Sequence, residues 1–309
     1  MRFFSDSEVQ ALLTMEQAIR VVRQGFQDLA CGRARNHARK HLELPGANAL
    51  HTMAAGDGAY FGAKVYSVNP RGGYHFAVLL FAAEDGRLLG VFEAGALTRL
   101  RTGAASAVAT DTLAPPGPRT VAILGTGIQA RAQLEGLIHV RPVRSVLCWD
   151  PDSERRSRFA AECTRDFRIR VIAAGAAESA VRDADVIVTA TNARTPVLEV
   201  GWVRPGAHIN AIGANYPDTR ELPDGILQKA ALIATDSIGQ ALEESGDLIS
   251  MGEGDRGKLV ELSDLVAGKL VRPARPGAVT IFKSNGIAIE DVLAAAYVYQ
   301  AAEEKGSYS

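Results

Sequence analysis

A doubly wound α/β fold with a second, α+β domain is what this 309-residue sequence predicts, on three observations. The apolar run TVAILG leads through Gly125-Thr126-Gly127-Ile128-Gln129-Ala130 into a helix-like segment. From there on, apolar strand candidates alternate with helical stretches, the pattern of a parallel sheet covered on both faces. The residues ahead of that motif show helices followed by short alternating strands, which belong to a different layer architecture.

Residues 5–31 read as helices. Ser5 or Ser7 caps the first, Thr14 with Gln17 fits a capping box, and Ala18, Val21, Val22, Phe26 and Leu29 recur at helical spacing before Gly32 stops the run. From about residue 40 to 95, HLELP, ALHTMAA, YFGAKVYSV, FAVLLFAA and LLGVFEA are strand candidates separated by glycine-containing turns. Asp85-Gly86 is the expected turn of a tight hairpin. Residues 97–114 form a helix rich in small side chains, and Pro115-Pro116-Gly117-Pro118 reads as a domain hinge. Beyond it TVAILG, SVLCWD, RIRVIAA, DVIVTAT, HINAIG and ALIATD are strands, with helices at 128–139, 152–166 and 177–182. The last segment, Gly286–Lys305, is helical and is expected to pack back on the first domain. The predicted division is therefore 1–114 plus 286–309 around a doubly wound domain of 115–285.

Hydrophobic residues make up 47% and charged residues 22%, the balance of a soluble globular protein. A formal net charge of -1 gives no reason to expect a nucleic-acid partner. Cys31, Cys148 and Cys163 are odd in number and scattered, which reads as reduced thiols in a cytoplasmic protein. His37 and His41 lack a third ligand nearby, so no metal site is expected. No apolar run reaches the roughly 20 residues of a membrane span, and the N-terminus lacks the apolar core of a signal peptide.

Gly125-x-Gly127-x-x-Ala130 gains its meaning from the strand before it and the helix after it. Gly125 permits the tight turn, Gly127 lets the backbone approach a pyrophosphate, and Ala130 lets the helix pack closely on the strand. Thr126, Ile128 and Gln129 complete the predicted Rossmann-type cofactor turn. Asp150 ends the second strand, where a carboxylate accepts ribose hydroxyls and repels a 2′-phosphate. That favours NAD(H) over NADP(H), although Arg155 and Arg156 follow closely. Thr189, Thr191 and Asn192 lie at the carboxyl end of the fourth strand, where open α/β sheets bind ligands.

GAKVYSV around Lys64, LTRLRTGAASAVAT around Arg101 and VAILGTGIQA are followed by PGAHINAIGANYPDTREL, ALEESGDL and TIFKSNGIAIED. In this order, over nearly the whole chain, these segments resemble the ornithine cyclodeaminase/mu-crystallin family. The resemblance implies that a Rossmann domain is inserted into a substrate-binding and dimerisation domain, in a homodimer. It also implies action on a small amino or imino acid with a nicotinamide cofactor. Arg39 and Arg101 match family positions that hold the substrate carboxylate, for which a planar guanidinium is suited. Lys64 sits inside an apolar strand, where burial and nearby arginines lower its proton affinity and make it a proton donor or acceptor. His75 matches a polar position near the substrate, and Ser284, after Lys283, lies where the family chain approaches the nicotinamide.

Asn215 is the informative departure. The cyclodeaminases it resembles carry an aspartate there, and an amide cannot take up a proton near neutral pH. Members resembling mu-crystallin also lack that aspartate and share the run from Pro217 to Leu222. The sequence reading is thus an NAD(P)H-dependent reductase of a small 2-imino acid, closer to the mu-crystallin-like ketimine reductases. An alanine dehydrogenase-like enzyme or an ornithine cyclodeaminase with bound NAD is the alternative. A non-catalytic, crystallin-like binding protein is a lesser one.

Overall fold

The computed structural model describes residues 1–46, 48–69, 71–117 and 119–306. Pro118 of the predicted hinge lies outside the described residues. A strand not read in the sequence, β1 (Arg2–Phe4), comes first. Ser5 with Glu8 and Thr14 with Gln17 then form capping boxes that start α1 (Asp6–Leu12) and α2 (Met15–Ala30). Five strands follow: β2 (Arg35–Leu44), β3 (Asn48–Gly56), β4 (Tyr60–Asn69), β5 (Gly73–Ala82) and β6 (Leu88–Glu93). They pair antiparallel in the order β1-β6-β5-β4-β3-β2, with β1 parallel to β6. Because successive side chains alternate in a strand, the register sets Met53, Lys64 and Val78 in one row. His51, Tyr66 and Phe76 form the next row of the same face.

The helix α3 (Gly95–Leu113) is buried from Arg101 to Thr110 and is lined with alanine, serine and threonine. Then come β7 (Arg119–Leu124), α4 (Ile128–Val140), β8 (Val143–Trp149), α5 (Ser153–Phe167), β9 (Val171–Ala173), α6 (Ala177–Val181), β10 (Val186–Thr189) and β11 (His208–Ala211). The remainder is α7 (Asp224–Lys229), β12 (Ala230–Thr235), α8 (Ile238–Glu244), α9 (Gly246–Ile249), α10 (Glu253–Arg256), β13 (Leu259–Glu261), α11 (Leu262–Val266) and β14 (Val279–Lys283). These eight strands are all parallel, ordered β13-β12-β14-β11-β10-β7-β8-β9. Ala122 and Leu124 of β7 face one apolar core, and Val121 and Ile123 face another. The sheet is therefore covered on both faces, as its apolar strands require. The parallel sheet and the separate mixed sheet agree with the predicted fold class. Two strands escaped the sequence reading: β13, at the edge, and β14, which enters between β11 and β12.

The chain ends in α12 (Ala288–Gly306), which packs on α2, β3, β4 and β5. Contacts divide the chain into two units, 1–105 with 286–309 and 106–285.

Candidate functional site

In the second unit, the strand order reverses between β7 and β10. The crevice at the carboxyl ends of such a pair is where doubly wound sheets bind ligands, and the glycine motif lies there. Gly125 has φ +90°, and a Cβ on it would sit 2.4 Å from the carbonyl oxygen of Ala190. No side chain but hydrogen is accommodated. Gly127 is the N-cap of α4 and makes no side-chain cap bond, and a Cβ on it would meet nothing within 4 Å. Space is thus open beside the N-terminus of α4, whose first amides have no intrahelical acceptor, and this suits a pyrophosphate. Ile128 is exposed and Gln129 half-buried on the first turn of α4. This arrangement fits a dinucleotide.

Asp150 is buried at the end of β8. Its carboxylate accepts from Thr126 N (3.0 Å), Thr126 Oγ1 (2.9 Å) and Asp152 N (3.1 Å). Thr189 and Thr191, at the carboxyl end of β10, are both engaged by Glu221. The Thr189 hydroxyl is fully buried and donates to Glu221 Oε2 (2.8 Å), while Thr191 donates to Glu221 Oε1 through N (2.6 Å) and Oγ1 (2.8 Å). Glu221 also accepts from Gly213 N (2.7 Å), so one buried carboxylate ties together the turns after β10 and β11. Both threonines shape the crevice through Glu221, and Asn192 follows them in that turn. Ser284 donates to Asp236 Oδ2 (2.9 Å) and is likewise held from below.

Asn215 donates to the Ile212 carbonyl (3.0 Å) and accepts from Lys283 Nζ (3.4 Å). Lys283 is fully buried, 4.0 Å from Asp247. Burial lowers its proton affinity, and Asp247 and Glu221 oppose that. Burial likewise pushes the Glu221 carboxyl up, against the charge of Lys283. Asp218, three residues beyond Asn215, is exposed and pairs with Arg194.

In the first unit, Lys64 is 1% exposed. Its Nζ donates to Thr98 Oγ1 (2.7 Å) and Asp291 Oδ1 (2.9 Å) and lies 4.8 Å from the centre of the Phe76 ring. Arg101 Nη1 donates to Glu290 Oε2 (2.7 Å), and its Nε lies 3.2 Å from Asp291 Oδ1. Arg39 Nη2 donates to the Gly286 carbonyl (3.2 Å). Gly286 has φ +76°, and a Cβ there would lie 2.3 Å from Arg101 Nη1, so the turn into α12 must be glycine for both arginines to keep their places. Arg39, Lys64 and Arg101 therefore form one buried cluster. Burial is the main reason that the Lys64 ammonium falls to about 7; Asp291 opposes the shift, and Arg101 and Arg39 add to it.

His75 does not join them. It pairs with Ser67, one residue from the Tyr66–Phe76 pair, so alternation turns it to the opposite face, where it is exposed. Glu290 and Asp291 were missed as site residues. Their signal was present: two adjacent acids inside the apolar run GIAIEDVLAAA demand buried cationic partners. Among the described residues no group of three or more His, Cys, Asp or Glu could hold a metal, and no helix is long and apolar enough to cross a membrane. Burial raises the Cys148 and Cys163 thiols to about 12 and about 11, which makes them inert.

Several known proteins are similar to this chain. Mouse ketimine reductase mu-crystallin is 40% identical over 223 residues, 72% of this chain and 68% of that protein. The Δ1-pyrroline-2-carboxylate reductase of Thermococcus litoralis, solved with NADH and L-proline, superposes with a TM-score of 0.94 at 33% identity, covering 99% of this chain and 98% of that one. An archaeal alanine dehydrogenase dimer with bound NAD matches at 0.92 and 32% identity, over 98% of this chain and 96% of the other. The family model described as ornithine cyclodeaminase/mu-crystallin matches residues 2–306, and the chain belongs to that family.

Proposed function

We propose that the protein is an NAD(P)H-dependent reductase of a small 2-imino acid, a cyclic ketimine such as a pyrroline- or piperideine-2-carboxylate, which it converts to the amino acid. The observation that carries this reading is the buried cluster of Arg39, Lys64 and Arg101 set against Glu290 and Asp291. Three cations face two carboxylates. The surplus positive charge matches a substrate with one carboxylate and a neutral imine nitrogen, since buried charge must be compensated. Arg39 and Arg101 hold the carboxylate, and Lys64 gives its proton to the nitrogen and regains one from solvent. Bound at the Gly125 turn, a reduced nicotinamide supplies the hydride that converts C=N to CH–NH.

Asp150 supports NAD(H) over NADP(H), because a 2′-phosphate would meet its carboxylate. The nearby Arg156 guanidinium is turned to the Asp150 carbonyl (3.1 Å). Asn215 supports kinship with the ketimine and pyrroline-2-carboxylate reductases rather than the cyclodeaminases, because no carboxylate stands there to take a proton. The outer face of the six-stranded sheet supports a homodimer. Leu42, Leu50, Phe61, Ala63, Leu79 and Val91 share that face, opposite the one under α12, and a second copy is the occupant we assign to it.

The test is a substrate panel of cyclic 2-imino acids, and of 2-oxo acids with ammonia or methylamine, each with NADH and NADPH. NADH oxidation with a cyclic 2-imino acid is expected, and its loss in Lys64→Ala with cofactor binding intact. Ornithine with catalytic NAD+ should yield no proline and ammonia; robust cyclodeamination would overturn the reading. A protein that binds NADH yet reduces no imine in the panel would be a binding protein instead.

A further inference from the structure

Every residue of α12 from Ala288 to Ala296 is buried, so Glu290 and Asp291 lie in the core of the first unit. A buried carboxylate persists only against compensating charge. Asp291 meets that need twice over through a single oxygen: Oδ1 accepts from Lys64 Nζ at 2.9 Å and stands 3.2 Å from Arg101 Nε. Its other oxygen, Oδ2, is buried without a hydrogen-bond partner among the described residues. Lys64 carries three N–H donors, of which Thr98 and Asp291 engage two.

We propose that Asp291 is a positioning residue that holds the Lys64 ammonium and the Arg101 guanidinium at a fixed spacing, matched to a substrate whose carboxylate and imine nitrogen share one carbon. This rests on the function proposed above. With Thr98 and Asp291 directing two N–H groups, the third is left for the substrate nitrogen. Asp291 also keeps Lys64 in its donor form. The groups facing Lys64 are Arg39 from β2, Tyr66 from its own strand with His51 of β3 stacked on it, and Phe76 from β5. Thr98 and Arg101 of α3 and Glu290 and Asp291 of α12 complete the set. Of these, Asp291 is the carboxylate that touches Nζ, whereas the arginines and burial favour loss of its proton.

The experiment is the pH profile of kcat/KM for imine reduction in the wild type, Asp291→Asn and Asp291→Glu, with NADH affinity measured alongside. For Asp291→Asn the alkaline limb is expected to move at least about one pH unit lower. Activity at pH 8 should fall roughly 100-fold and recover in part at pH 6, with NADH affinity unchanged. A limb that stays at the wild-type pH, whatever the loss in rate, overturns the proposal. Should the amide variant not fold, Asp291→Glu carries the test. It keeps the charge, so its limb should lie within about half a unit of the wild type while kcat falls about tenfold through the displaced Nζ. An unchanged kcat or a displaced limb there overturns the proposal. Absence of imine reduction by the wild type across the whole substrate panel would instead overturn the function itself, so the two failures are distinguishable.

Discussion

At the scale of the residue, Lys64 shows how burial converts an ordinary side chain into a titrating one. An exposed lysine is protonated throughout the neutral range. Burial beside two arginines brings this one to about 7, with Asp291 limiting the fall. The donor form is therefore present below that pH and lost as pH rises through it. Imine reduction is expected to decline in kcat/KM above about pH 7, while oxidation of the product amine, which needs neutral Lys64, rises through the same window. Initial rates in both directions from pH 5.5 to 9 check this, and a flat profile in both would remove Lys64 from proton transfer. The lysine was visible in the sequence as a charge inside an apolar strand. Its partners were not, because Thr98 and Asp291 come from elements 34 and 227 residues away.

At the scale of the element, the six-stranded sheet has two unlike faces. One is closed by α12, whose apolar residues share it with the cation cluster. The other carries Leu50 and Phe61, which are 38% and 42% exposed. Placing charge on that face should abolish association without disturbing the cluster. Leu50→Arg combined with Phe61→Arg is expected to run as a monomer in light scattering where the wild type runs as a dimer. A dimer that survives both changes would place its interface elsewhere. Element positions were legible where local chemistry defines them: the capping boxes at Ser5 and Thr14, the glycine turn at 125–127, and the alternation of apolar strands with helices. β1 and β14 escaped because strands of three and five residues are too short to carry a period of their own. Pairing with β6, and with β11 and β12, is what makes them strands. His75 falls on the face away from the cluster for a related reason, since a one-residue offset in a strand moves a side chain to the other face.

At the scale of the whole molecule, each unit buries a histidine in neutral form. His208 lies between Thr280 Oγ1 (2.9 Å) and Asn210 Oδ1 (3.2 Å), and burial lowers it to about 4. His51, lowered first by burial and then by His41 and Arg39, also falls to about 4. Both values lie below that of an unfolded histidine, so the unfolded chain binds protons first as pH falls. Stability is then lost between about pH 6.5 and 4, by on the order of 3 kcal/mol for His208 alone. Urea unfolding at pH 7.5 and 4.5 checks this. His208→Gln should show a shallower loss than the wild type, and an equal loss would assign acid sensitivity to other groups.

The sequence by itself determined the doubly wound sheet, the nucleotide turn at Gly125 and Gly127, the arginines and lysine of the cation cluster, and the missing carboxylate at Asn215. The sheet and the turn are written in local spacing and turn chemistry, whereas Arg39, Arg101 and Asn215 were singled out by the resemblance to the family. Only the tertiary structure decided which carboxylates compensate those cations, and which threonines are spent on Glu221. It also decided that β14 enters the middle of its sheet and that His75 faces away. Those outcomes depend on contacts between distant segments. They follow from the need to leave no buried charge or backbone group unpaired, and the folded chain meets that need through partners that local sequence does not specify.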